Sequence, residues 1–121
     1  MNFNKYQKKS SEFAVYPGHE DCGLSSVYKG KIDNMTYPLL GLAEESGEVC
    51  GRIAKAVRKG GIYLDAADRE DIAKELGDVL WMVSQLALHL DYTLEEIAKM
   101  NLNKLTIRKE KGKIVGSGDN R

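Results

Sequence analysis

The chain has 121 residues, and its 18 lysines and arginines balance 18 aspartates and glutamates to a formal net charge of zero. That length suits one domain with one core, and the balanced charge excludes the strongly basic footprint of a nucleic-acid-binding protein. No apolar run approaches the roughly 20 residues needed to cross a membrane. MNFNKYQKKS at the start lacks the apolar stretch of a secretory leader, and two cysteines without CxxC spacing fit a reduced, cytoplasmic setting.

Phe3, Tyr6, Phe13 and Tyr16 predict a first amphipathic helix over 2–16. Residues 17–36 are rich in turn formers and read as a long loop with room for a short helical turn. Thr36 is placed to N-cap a second helix over 37–59, with Pro38 near its first position. Leu39, Leu42, Val49, Cys50, Ile53 and Val57 form its apolar stripe, so Cys50 reads as a small core residue. Cys22 falls in the loop. Gly47 and Gly51 each cost about 1 kcal/mol relative to Ala inside a helix, which points to close packing or ligand approach there. Gly60-Gly61 ends the helix.

A third helix is expected over 66–90, with a stripe of Ile72, Leu76, Val79, Leu80, Val83, Leu86, Ala87 and Leu90. Trp81 and Leu88 fall on its opposite side. Either the helix is buried all round, which a short chain achieves by oligomerising, or Trp81 caps the bundle edge. Thr93 and Glu96 form a capping box that opens a fourth helix to about 109. The tail GKIVGSGDNR is either irregular or folded over a neighbouring site with Asp119 or Arg121 against ligand. The expected architecture is an all-α, four-helix-type bundle over 1–111 that oligomerises through helix faces, followed by a Gly-rich tail over 112–121.

The chemistry lies in two acidic groups. Glu44, Glu45 and Glu48 occur in GLAEESGEV, and Glu75 and Asp78 occur in AKELGDVLWM. Spacing of i,i+3 puts both acids of a pair on one helical face. Like charges beside an apolar stripe repel and resist desolvation, and a divalent cation removes both penalties. Asp71 extends the acidic flank of the third helix, while the nearby Lys74 points elsewhere on the helical wheel, so the acids look uncompensated. His89 lacks an ExxH partner because Leu86 stands at i−3, and no Cys/His zinc spacing exists. Oxygen-only ligation favours Mg²⁺ or Mn²⁺. There is no GxxxxGK[ST] loop and no GxGxxG. A phosphate substrate would need help from bases such as Asn101, Lys104 and Arg108, spaced i, i+3, i+7 on one face of the fourth helix, or Lys55, Arg58 and Lys59 at the end of the second.

With EExxE as Glu44–Glu48, 26 intervening residues and ExxD as Glu75–Asp78, the chain resembles the MazG-like nucleotide pyrophosphohydrolases. NLNKLTIRKEKG is similar to the family's Asn-x-x-Lys-Leu-x-x-Arg segment, and NFNKYQ and GSGDNR resemble the ends of its compact bacterial and phage members. The resemblance implies an all-α fold assembled as homodimers or homotetramers. It implies hydrolysis of nucleoside triphosphates to the monophosphate and pyrophosphate. It assigns Glu45, Glu48, Glu75 and Asp78 to metal, and Glu44 to water orientation or support of the ligands. Lys55, Asn101, Lys104 and Arg108 fall to phosphate or sugar. Apart from the resemblance, Trp81 is a candidate wall of a base slot, or else a core or interface packing residue. Relatives acting on dUTP-type or phosphoribosyl-ATP substrates share the acid set. A non-catalytic oligomer that binds metal or nucleotide is the reading from another class.

Overall fold

The computed structural model describes residues 1–119, and they contain four α-helices and no strand. These are α1 (Phe3–Ser10), α2 (Thr36–Arg58), α3 (Ala66–His89) and α4 (Leu94–Glu110). Short 3₁₀ turns cover Ser11–Phe13, His19–Asp21 and Ile32–Met35. The bundle expectation therefore holds, and no described helix is long and apolar enough to cross a membrane.

A long antiparallel hairpin of α2 and α3 is the frame. Gly60 takes a left-handed φ of +75° past the end of α2, where a side chain would strain the backbone. Asp65 then caps α3 by accepting from the Asp68 backbone N–H. Gly41 lets the hairpin close: a Cβ there would lie 2.5 Å from the Met82 thioether, which is buried against it. Thr93 and Glu96 make the expected capping box on α4.

The core sits under the C-terminal half of α3 and is partly polar. Tyr16, Met82, Ala87, Leu88 and Leu94 are its buried apolar members, joined by buried Ser84, Gln85 and His89. The Tyr16 hydroxyl lies 2.8 Å from His89 Nε2 and donates toward Gln85 Oε1 at 3.3 Å. Ser84 Oγ pairs with Ser10 Oγ at 3.2 Å, and Trp81 Nε1 donates to the Ser10 carbonyl at 3.0 Å. Gln7 joins α1 to the start of α4, donating to the Tyr92 carbonyl and accepting from the Leu94 N–H, each at 3.1 Å. Buried polar groups that find partners fix the packing of α1 and the 17–36 loop more tightly than apolar contacts alone.

Several expectations fail for identifiable reasons. The first helix ends at Ser10, because Ser10 and Ser11 turn their hydroxyls onto the Gln7 and Lys8 carbonyls and Ala14 is extended. Thr36 is the first residue of α2 rather than its cap: the 3₁₀ turn at Ile32–Met35 runs straight into the helix, and Met35 at the cap makes no side-chain bond. Cys50 is exposed, and nothing lies within 4 Å of a Cβ built at Gly47 or Gly51. Leu39, Ile53 and Val57, expected inside, are 57, 45 and 70 % exposed. Trp81, opposite the α3 stripe, packs edge-on against Tyr16 with ring centres 6.2 Å apart, and neither alternative for it is overturned.

Candidate metal centre

Antiparallel pairing of α2 and α3 brings the two acidic motifs face to face. Carboxylate oxygens of Glu45, Glu75 and Asp78 lie within 4.8 Å of one another. Glu45 and Glu75 are half-buried, and Asp78 is exposed. Burial raises the Glu45 carboxyl above its ordinary range, and the charges of Asp78, Glu44, Glu75 and Glu48 push the same way. Glu44 and Glu48 are exposed and stand next to the trio without joining it.

Such a set matches a hard divalent ion. All three converging donors are carboxylate oxygens, and the carboxyl that resists ionisation is the one that four other negative charges surround. Glu45, Glu75 and Asp78 would hold the ion, with Glu48 one turn along α2 from Glu45.

The acids are not uncompensated. Arg52 reaches across the groove, donating from Nε and Nη2 to Glu75 Oε1, both at 3.3 Å, while Nη1 lies 3.6 Å from Asp71. The signal was present in the sequence: Glu45, Glu48 and Arg52 are spaced i, i+3, i+7 and share a face of α2. Lys74 instead pairs with Glu70 on its own helix. Tyr6 is a second neighbour that patterning did not find. Burial, and then the charge of Asp78, raise its phenol, which places α1 beside the groove.

Among the described residues, none of the expected phosphate contacts bonds to the acidic trio. Lys55 and Asn101 are exposed, and their side chains make no hydrogen bond or ion pair among the described residues. Lys104 and Arg108 meet each other through the tail, at Asp119. Trp81 follows Asp78 by one helical turn and lines a cleft of about 320 Å³ with Phe13, Val15, Tyr16, Pro17 and Tyr37. Tyr37 stacks on Tyr16, their ring centres 5.2 Å apart. A larger cleft lined by Phe3, Asn4, Tyr6, Leu80 and Glu95 contains none of the groove's acids. Arg121 lies outside the described residues.

A helical hairpin that gathers carboxylates with no histidine or thiol among them defines an all-α protein whose acidic groove would suit a divalent cation. Sequence comparison makes the class specific: the MazG nucleotide pyrophosphohydrolase domain matches residues 35–112, which span α2, α3 and α4. The chain belongs to that family. It is also 40 % identical over all 121 residues to the Gene 37 protein of Mycobacterium phage L5, with both chains covered completely. No solved structure matches it.

Proposed function

We propose that this protein is a Mg²⁺-dependent nucleoside triphosphate pyrophosphohydrolase, converting a (deoxy)nucleoside triphosphate and water to the monophosphate and pyrophosphate. The observation that carries this reading is the convergence of Glu45, Glu75 and Asp78 in a chain of the MazG family. Bound there, Mg²⁺ would neutralise polyphosphate charge and draw electron density from the scissile anhydride. The chain's own residues supply the rest. Glu44 and Glu48, outside the trio, orient a water toward the α-phosphorus and accept its proton. The new bond joins the water oxygen to that phosphorus, and the anhydride bond to the β-phosphate oxygen breaks, so pyrophosphate departs. Lys55, Lys104 and Arg108 offset charge on the phosphates and Asn101 bonds the sugar or a phosphate oxygen. The aromatic cleft beside Trp81 receives the base.

Release of pyrophosphate from a panel of deoxynucleoside triphosphates, with and without Mg²⁺, tests this. Pyrophosphate should be the first product and should vanish in Glu48→Gln and Asp78→Asn. Orthophosphate as first product, or full activity in both variants, overturns the reading. Including dUTP and phosphoribosyl-ATP in the panel separates related substrates that the acids alone do not distinguish.

We further propose that the chain works as a homodimer or homotetramer. On α4 only Leu94 and Arg108 are buried. Leu40, Val57, Met100 and Leu102 are 66, 70, 57 and 65 % exposed, an amount of apolar helix surface that a second copy would cover. Sedimentation velocity should show no monomer at micromolar concentration; a monomer with full activity ends the proposal.

A further inference from the structure

The tail does something the groove does not explain. After α4 the chain reverses at Gly112, whose φ is +66°, and the Lys113 N–H bonds back to the Arg108 carbonyl at 2.7 Å. A second left-handed glycine, Gly118 at φ +84°, presents its carbonyl to Arg108 Nη2 at 3.1 Å. Asp119 follows. Its Oδ1 alone accepts from Lys104 Nζ at 3.1 Å and from Arg108 Nη2 at 3.3 Å. Lys104 and Arg108 are one turn apart on one face of α4. The tail carboxylate thus lies between two cations that this face directs at one oxygen.

The fit is incomplete in an informative way. Arg108 is only 5 % exposed, and its Nε has no hydrogen-bond partner among the described residues. A guanidinium presents Nε–H and Nη2–H as a fork matched to two oxygens of one oxyanion. Asp119 reaches only the Nη2 side of that fork. Its own side chain is 81 % exposed, so this is a surface ion pair on a Gly-rich segment, a kind of contact that holds weakly. A phosphate group has enough oxygens to take Nη2, Nε and Lys104 Nζ together. Among the described residues, nothing else in the tail offers Nε an acceptor.

We propose that Lys104 and Arg108 form a phosphate receptor that Asp119 fills in the resting chain, so that the tail is a displaceable plug competing with the phosphates of substrate or product. The proposal rests on the reading of Lys104 and Arg108 as phosphate contacts, and it adds a regulator to them. The plug opens by exchange of one anion for another. Gly112 and Gly118 provide the two turns about which the segment leaves.

Binding of inorganic pyrophosphate to the full-length protein in EDTA, followed by calorimetry, tests the plug apart from the metal groove. Asp119→Asn should tighten binding about three- to tenfold, the range expected from loss of one exposed ion pair and one charge-assisted hydrogen bond. A chain ending at Ser117 should do the same. Lys104→Gln should weaken binding in both the wild-type and Asp119→Asn backgrounds. Unchanged or weaker binding in Asp119→Asn and the shortened chain overturns the plug, and so does an absence of pyrophosphate binding in every variant. Circular dichroism melts confirm that the exposed Asp119 substitution leaves the fold intact. Hydrolysis assayed separately with Mg²⁺ tells the two readings apart: normal turnover with no effect of Asp119→Asn on binding removes the plug alone, whereas no turnover in any variant removes the proposed reaction alone.

Discussion

The two halves of α3 live in different solvents. Toward its N-terminus, Asp71, Glu75 and Asp78 face a groove where like charges crowd and, among the described residues, Arg52 alone pairs with them. Toward its C-terminus, Ser84, Gln85 and His89 are buried among Tyr16, Leu88 and Leu94, and most of their polar atoms find partners. Polar residues fill both halves, yet one half keeps charge that Arg52 offsets only in part and the other satisfies its polar groups internally. Stability should belong to the satisfied half and chemistry to the unsatisfied one.

The sharpest test of that division removes one acid. Asp78→Asn should lower pyrophosphate release by on the order of 10²–10³-fold, because a converging ligand is gone. The same change should leave the metal-free melting temperature unaltered or raise it, since Asp78 is among the charges that resist ionisation of Glu45. A large loss of stability in parallel with activity would show that the groove also holds the fold together.

The reverse substitution lies ten residues further along α3, about 15 Å of helix away. Leu88→Ala should cost about 2–5 kcal/mol by lost burial and the cavity it leaves. Below its lowered melting temperature, turnover per folded molecule should stay close to wild type. Denaturant unfolding and active-site-normalised kinetics check both statements.

Arg52→Gln sits between the two behaviours. Its fork joins Glu75 and Asp71, but the side chain is 40 % exposed and solvent screens the pair. Metal-free stability should fall by about 0.5–1 kcal/mol. Saturating Mg²⁺ should restore much of that loss, because an ion bound to the folded state replaces the missing positive charge. A deficit that Mg²⁺ leaves untouched would place Arg52 with the structural half.

Legibility in the sequence follows the same boundary. The acid pairs were readable because helical spacing is local, and so was the capping box at Thr93–Glu96. Arg52 was readable too, from its i+7 relation to Glu45. The polar core was not readable. Tyr16 and His89 are 73 residues apart, and no periodicity links a loop tyrosine to a histidine near a helix end. Gln85 and Ser84 look like surface residues by type, since such side chains are mostly exposed, and only the arriving α1 and loop make them interior. Cys50 erred the other way: it lies on a stripe that patterning assigns to the inside, while a single chain leaves that part of α2 open.

The smallest expected effect is also the one that asks most of the comparison, because acid should act on the two regions with opposite sign. Burial holds the His89 imidazole below its ordinary value of 6.5, with the charge of Asp21 opposing. The unfolded chain therefore takes up a proton before the folded one does, and stability is complete above pH 6.5 and lost as pH falls through the depressed folded value. Glu45 is raised from 4.5, so its folded form takes up the proton first. Its contribution grows as pH falls through the raised value and disappears as pH rises above it. In metal-free protein, the urea midpoint between pH 7 and pH 5 is the difference of these two limbs. Glu45→Gln should leave only the falling limb of the histidine, and His89→Asn only the rising limb of the glutamate. Midpoints that move in the same direction in both variants would mean that the groove and the core do not titrate as separate regions, and that the division along α3 is one of exposure alone.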